Sequence, residues 1–330
     1  MKLRANRWVK LLFQAVGIAL FIVILARVDL REILRSYRRM SLVPAAIGVA
    51  LLFILTLIKS RRWKTIVDAQ GFQIGGGRAF RVYAASLYLG VVTPGHLGDF
   101  AKSLYLMNEG FPAGKALFSS LVDRLFDIML FVAVGYVSLL FFPGIFENQL
   151  LLSSLLVGIV ALAAAALFWR RDLLRRFMRR FIAGMPGEGL RSNLDSFITD
   201  GLEEFATMRA RGAWIVGILT GAAWIVHYLF FIIFAGALGI HATIPVLIVA
   251  VSAAVFMSLL PVSISGLGTR DLALILIFSR VGLSREEAVT FSFSFILVYV
   301  IQGLTGLVCW FTSPFHAAKT PGRAAQRGEG

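Results

Sequence analysis

The chain has 330 residues, 58% of them hydrophobic and 15% charged, against roughly 45–50% and about 25% in soluble domains. The apolar residues fall in runs of about 17 to 25, enough for a helix to cross about 30 Å of hydrocarbon. That excludes a soluble domain, and the short alternating strands of a membrane barrel are missing. A net charge of +15 would suggest nucleic acid in a soluble protein. Here the arginines gather at the ends of apolar runs, where topology and anionic headgroups account for them, so no nucleic-acid partner is expected.

The fold class expected is an all-α polytopic membrane protein with about six full spans, at 11–26, 41–58, 116–142, 149–169, 213–238 and 286–311. The first span follows a basic flank and has no small-residue cleavage site, so it reads as a retained helix, not a signal peptide. Two further apolar regions, 80–108 and 245–281, are interrupted, at "TPGHLGD" and at "PVSISGLGTRD". Their later pieces are too short to cross unaided. The basic stretches "KSRRWK" at 59–64 and "RRDLLRRFMRR" at 170–180 read as cytoplasmic. The basic stretch at 27–40 must then be an outside loop if the N-terminus is inside. Both termini are expected in the cytoplasm, and the host membrane to be a bacterial inner membrane.

Counting crossings between the basic stretches gives two broken or re-entrant hairpins of opposite orientation. The interrupted regions also resemble each other: each has a Leu-Gly at its break, then a Gly six residues before an Ala (Gly110–Ala116, Gly282–Ala288), then a long span. This is the pattern of an inverted repeat, with units at 80–142 and 245–311. Between them, 170–210 reads as an amphipathic cytoplasmic linker with a cationic face, and 316–330 as a disordered tail.

A charged side chain at the middle of a spanning helix costs about 2.5–3.5 kcal/mol on insertion scales, so intramembrane charges usually face a partner or a cavity. Three clusters qualify. In the first, Pro94 and Gly95 stop one half-helix and Gly98 turns the chain, leaving Asp99 to cap the next or sit in its first turn, with Lys102 one turn on and His96 in the turn. Free N–H groups near Gly98, and near Gly268 in the third cluster, would suit an anion. In the second, "DRLFD", Asp123 and Asp127 share a helix face and Arg124 can pair with Asp127. Lys102 or Arg270 would complete the balance of charge. In the third, "SISGLGTRD", Ser263, Ser265 and Thr269 flank Gly268, and Arg270 and Asp271 open a helix. Arg270 could hold a phosphate or bridge to Asp123 or Asp127, and the two readings are compatible. His227 reads as a packed interior histidine. Trp63 is grouped with Trp8, Trp169, Trp214 and Trp310 in an interfacial belt. With four histidines and one cysteine, neither a metal nor a cofactor is expected, and none of the common hydrolase, phosphate-loop or metalloprotease motifs occurs.

"PGHLGDFAKSLYL", "DRLFDIMLF" and "LLPVSISGLGTRDLALIL", in this order, resemble the flippase-like family, the transmembrane region of lysylphosphatidylglycerol synthases. Two departures matter: Asp123 stands where that family often has Glu, and "SGLG" stands where a double glycine is common. Relatives of this kind join the membrane unit to a cytosolic aminoacyl-lipid synthase domain; no such domain is expected here. The resemblance therefore implies the translocating half alone, with membrane lipids or lipid-linked species as partners and a separate lipid-synthesis enzyme as a candidate one. The expectation is a lipid or headgroup translocator acting through a polar midplane cavity, without enzyme activity. The rivals are a membrane-embedded enzyme using Asp123 or Asp127 as acid or base, and a scaffold for lipid or polyprenyl-phosphate-sugar metabolism.

Overall fold

The computed structural model describes residues 30–93, 98–140, 210–259 and 266–312, with the single positions 158 and 176. The expected spans 11–26 and 149–169, most of the 170–210 linker, the tail, and His96, Ser263 and Ser265 lie outside them. The described residues form nine helices and no strand: α1 (Leu30–Arg39), α2 (Leu42–Ala69), α3 (Gly76–Val92), α4 (Ala101–Asn108), α5 (Ala113–Leu139), α6 (Ala210–Ala237), α7 (Ile244–Leu259), α8 (Thr269–Arg280) and α9 (Arg285–Thr312). Three of these, α2, α6 from Gly212 and α9, are long and apolar enough to cross a membrane. Both interrupted regions are helix–break–helix, as expected: α3 and α4 about the first break, α7 and α8 about the second.

Two basic segments behave differently from expectation. The 27–40 stretch is not a plain loop: from Leu30 it is helix α1, which docks on α9 through the Tyr37 hydroxyl, donating to the Thr290 carbonyl at 3.1 Å. Nor is "KSRRWK" a loop. It lies inside the 28-residue α2, since no glycine or proline interrupts the chain until Gly71, whose φ of +84° ends the helix. Residues 52, 55, 56, 60, 62, 63, 66 and 67 keep the helical spacing and are buried. So the inner face of the span continues through the basic run, with Arg62 and Trp63 on it. Trp63 is 0% exposed and donates to Ser119 Oγ at 3.2 Å, so it belongs to the core and not to an interfacial belt.

Helices α2–α5 and α6–α9 form two series of matching order. Their lengths are 28, 17, 8 and 27 residues against 28, 16, 12 and 28. The principal packing is closed under exchange of the series: α2 packs on α6, α3 on α9 as α7 on α5, α4 on α5 as α8 on α9, and α2 on α5 as α6 on α9. The turns after α4 and α8 match as well. Phe111 N–H donates to the Leu106 carbonyl and Leu283 N–H to the Phe278 carbonyl, each at 3.0 Å, around Gly110 and Gly282 with φ of +87° and +80°.

Lipid is as apolar as leucine, so helices in it associate through close packing at small residues. Gly306 on α9 lies against the Ala84 carbonyl and Tyr88 of α3, and Gly135 on α5 against Ser252 of α7, one glycine at each of two exchange-related crossings. The interiors of the two halves differ. Phe230, Phe231, Phe234, Phe278, Phe291 and Phe295 interlock around α6, α8 and α9, whereas α2, α4 and α5 enclose charge.

Candidate functional site: an ionic network between helices

Arg62 is the hub. Its side chain is 0% exposed. Nε donates to Asp123 Oδ1 at 2.8 Å, Nη1 to Asp127 Oδ1 at 2.8 Å, and Nη2 to Asp127 Oδ2 at 3.1 Å and to the Asp123 carbonyl at 3.0 Å. Nη1 also reaches Thr220 Oγ1 on α6 at 3.2 Å. Asp123 and Asp127 are four apart on α5, which turns both toward one guanidinium; the planar fork is the side chain suited to bridge them.

The remaining partners close the network. Lys102, 2% exposed, pairs with Asp123 and lies over the Tyr83 ring with Nζ 4.5 Å from its centroid, and the Tyr83 hydroxyl donates to Asp123 Oδ2 at 3.4 Å. Lys59 Nζ reaches Asp127 Oδ2 at 3.1 Å and Trp224 Nε1 donates to Asp127 Oδ1 at 3.0 Å. Arg124 pairs with Asp99, not with Asp127 as the helix spacing suggests. Asp99 does not cap α4; it stands in the short turn before that helix, its carboxylate against Gly90 of α3. Among the described residues, four cations and three carboxylates are thus brought together, an excess of one positive charge.

The third cluster forms a separate node. Asp271 Oδ2 accepts the Gly268 N–H at 2.7 Å, and Oδ1 accepts from Ser292 and, at 3.3 Å, from Arg270 Nη2. Arg270, 0% exposed, donates from Nε to Ser292 Oγ at 2.9 Å, and its guanidinium lies 5.2 Å from the Phe295 centroid. It does not bridge to Asp123 or Asp127. The expected free N–H groups are not free: Gly98 N–H donates to Thr93 Oγ1 at 2.6 Å, and Gly268 N–H to Asp271. Thr269 Oγ1 bonds back to the Gly266 carbonyl at 3.3 Å.

A cavity of about 110 Å³ lies against the network. Its charged wall is Lys59, Asp99, Arg124 and Asp127; His227 and Gln302 also face it, and Phe131, Val255 and Phe295 are among its apolar lining. Its residues fall in the central half of each long helix: Lys59 is the 18th of 28 in α2, Asp127 the 15th of 27 in α5, His227 the 18th of 28 in α6 and Tyr299 the 15th of 28 in α9. The first break lines it through Asp99, and Ser258, near the end of α7, lines it too, with Gly266 packed against Ser258. Lys59, Arg62, Tyr83, Thr220 and Trp224 are absent from the sequence-based site. The signal that could have found Lys59 and Arg62 is the unbroken helical spacing from Leu55, combined with two carboxylates on α5 in want of cations.

Membrane-length helices, interrupted helices, and a charged network between the middles of the long helices define a multi-pass helical membrane protein with a polar interior. The chain belongs to the family described as the lysylphosphatidylglycerol synthase TM region, whose model matches residues 8–306. No curated protein and no solved structure matches it.

Proposed function

We propose that this protein moves the polar headgroup of a membrane lipid or lipid-linked species between the leaflets of a bacterial inner membrane, through the cavity beside Asp127. The observation that carries the reading is a charged cavity lined by the first helix break and the end of α7 and centred along the long helices. Buried charge of this kind is costly unless it serves a polar pathway, and irregular backbone at membrane depth is tolerated where it lines one. At about 110 Å³ the cavity is far below the roughly 300–1,000 Å³ of pockets that engulf a small molecule, so the acyl chains stay in the bilayer. The exchange-related helix series supports an inverted repeat of four helices each, α2–α5 and α6–α9, meeting at the cavity. Both termini are placed in the cytoplasm in this reading, and a separate enzyme would supply the lipid.

The enzyme reading is weaker. A general acid or base needs a carboxyl able to exchange its proton with substrate, and Asp123 and Asp127 are both engaged by Arg62. Reconstitution of the full chain tests the proposal, with a headgroup-labelled phospholipid followed between leaflets. Wild type should equilibrate the label faster than empty vesicles, and Val255→Trp, which fills the cavity and leaves the charges in place, should not. Rates equal to empty vesicles across a lipid panel would remove the translocator reading; product formation in detergent, where there are no leaflets, would replace it with an enzyme.

A further inference from the structure

We infer that Lys59 is the seat of a single phosphodiester anion within the cavity, a reading that deepens the headgroup transport proposed above and rests on it. Every carboxylate of the network keeps a cation when Lys59 is set aside: Asp123 has Arg62 and Lys102, Asp127 has both Arg62 nitrogens, and Asp99 has Arg124. Lys102 passes the same test, since Asp123 keeps Arg62, but it is 2% exposed and does not line the cavity. Lys59 is the cation that can be spared and that meets the cavity. It is also more accessible than the hub, its side chain 19% exposed against 0% for Arg62 and 2% for Lys102, and it faces the cavity.

An ammonium has three protons to place. Asp127 Oδ2 takes one at 3.1 Å, and the Trp224 ring, with its centroid 5.5 Å away, covers another side. The remaining donor has the cavity before it. On the same cavity stands His227, whose Nε2 is buried with no hydrogen-bond partner among the described residues. An oxyanion there would satisfy both groups.

The charge of the guest follows from its walls. One negative charge balances the single excess positive charge. A second would meet Asp99 and Asp127, which line the same space, and like charges this close disfavour each other. The site thus fits a phosphodiester, with one charge, over a phosphomonoester, which carries about −1.5 to −2 at neutral pH. A lipid headgroup and free phosphate share this chemistry; the proposed transport favours the headgroup.

The test uses the full chain in detergent, with Trp fluorescence and melting temperature as readouts. The probes are short-chain phosphatidylglycerol, short-chain phosphatidic acid and inorganic phosphate. The diester should bind wild type and Lys59→Arg, and should bind Lys59→Met roughly ten- to hundredfold more weakly, the effect of losing one charge-assisted hydrogen bond. Unliganded Lys59→Met should melt close to wild type, because Asp127 retains Arg62. Equal diester affinity in Lys59→Met, tighter binding of phosphatidic acid, or a response to inorganic phosphate alone would each overturn the assignment. The two proposals separate in vesicles: undiminished transport by Lys59→Met sinks the seat and leaves translocation standing, whereas Lys59-dependent binding without transport by wild type does the reverse.

Discussion

Asp127 on α5 receives Arg62 of α2 in a two-pronged pair, Nη1 to Oδ1 at 2.8 Å and Nη2 to Oδ2 at 3.1 Å. The same guanidinium holds Asp123 one turn away, so one side chain fixes the angle and register of two helices. Arg62→Met should leave Asp127 with Lys59 and Asp123 with Lys102, and should still destabilise the fold by a few kcal/mol, since each charge-assisted hydrogen bond lost without replacement costs about 1.5–3 kcal/mol. Arg62→Lys keeps the charge without the planar fork and should recover part of that loss. Thermal unfolding in detergent measures both, and an Arg62→Met variant as stable as wild type would contradict the hub role.

The Asp99 carboxylate occupies the space a methyl group would take at Gly90. Gly90→Ala should therefore displace Asp99 from Arg124 while leaving α3, a helix alanine favours, intact. Headgroup transport should fall several-fold, and the melting temperature should drop as it does for Asp99→Asn, since Arg124 loses its carboxylate. A variant that transports at the wild-type rate would show that the Asp99 position does not matter to the cargo.

Gly306 and Gly303 lie on the same helix one turn apart and should respond oppositely to alanine. At Gly306 the added carbon would run into the Ala84 backbone carbonyl, which cannot swing aside; at Gly303 nothing lies within 4 Å. Gly306→Ala should cost about 1–3 kcal/mol, as overpacking does, and Gly303→Ala should be neutral or slightly stabilising. Melting temperatures of the two variants, side by side, decide it.

Much of this frame was legible because its signals are local. Glycine and proline mark both breaks, and the length of the apolar runs gives α2, α5, α6 and α9 to within a few residues at most of their ends. Asp99, Lys102, Asp123, Arg124 and Asp127 stood out as charges in apolar surroundings, and they do converge. The pairing was not legible. Helix spacing matches Arg124 with Asp127, but the first break carries Asp99 to Arg124, and α2 delivers Arg62 to the carboxylates instead. Arg62 itself was hidden by its neighbours: among Lys59, Arg61 and Lys64 a basic run reads as a cytoplasmic end, and only the helical phase of residues 55 to 67 separates an inward arginine from an outward one. The free amides expected at Gly98 and Gly268 were lost to short-range bonds with Thr93 and Asp271, which spacing along the chain does not reveal.

The Asp99–Arg124 pair joins the first break to α5 on the cavity wall, and its role in holding the fold can be separated from any role in transport. Asp99→Asn alone leaves Arg124 without its carboxylate and Arg124→Gln alone leaves Asp99 without its cation, so each should lower stability. The double variant strands neither charge, and replacing a partly buried pair by neutral groups is often close to neutral. It should therefore melt nearer to wild type than either single variant. If the pair only fastens the break, the double variant should also transport at nearly the wild-type rate. If its charges meet the headgroup, transport should stay at least several-fold down although the fold is restored. The proposed function predicts the second pattern, and vesicle transport measured beside the melting curves of all four proteins distinguishes it from the first.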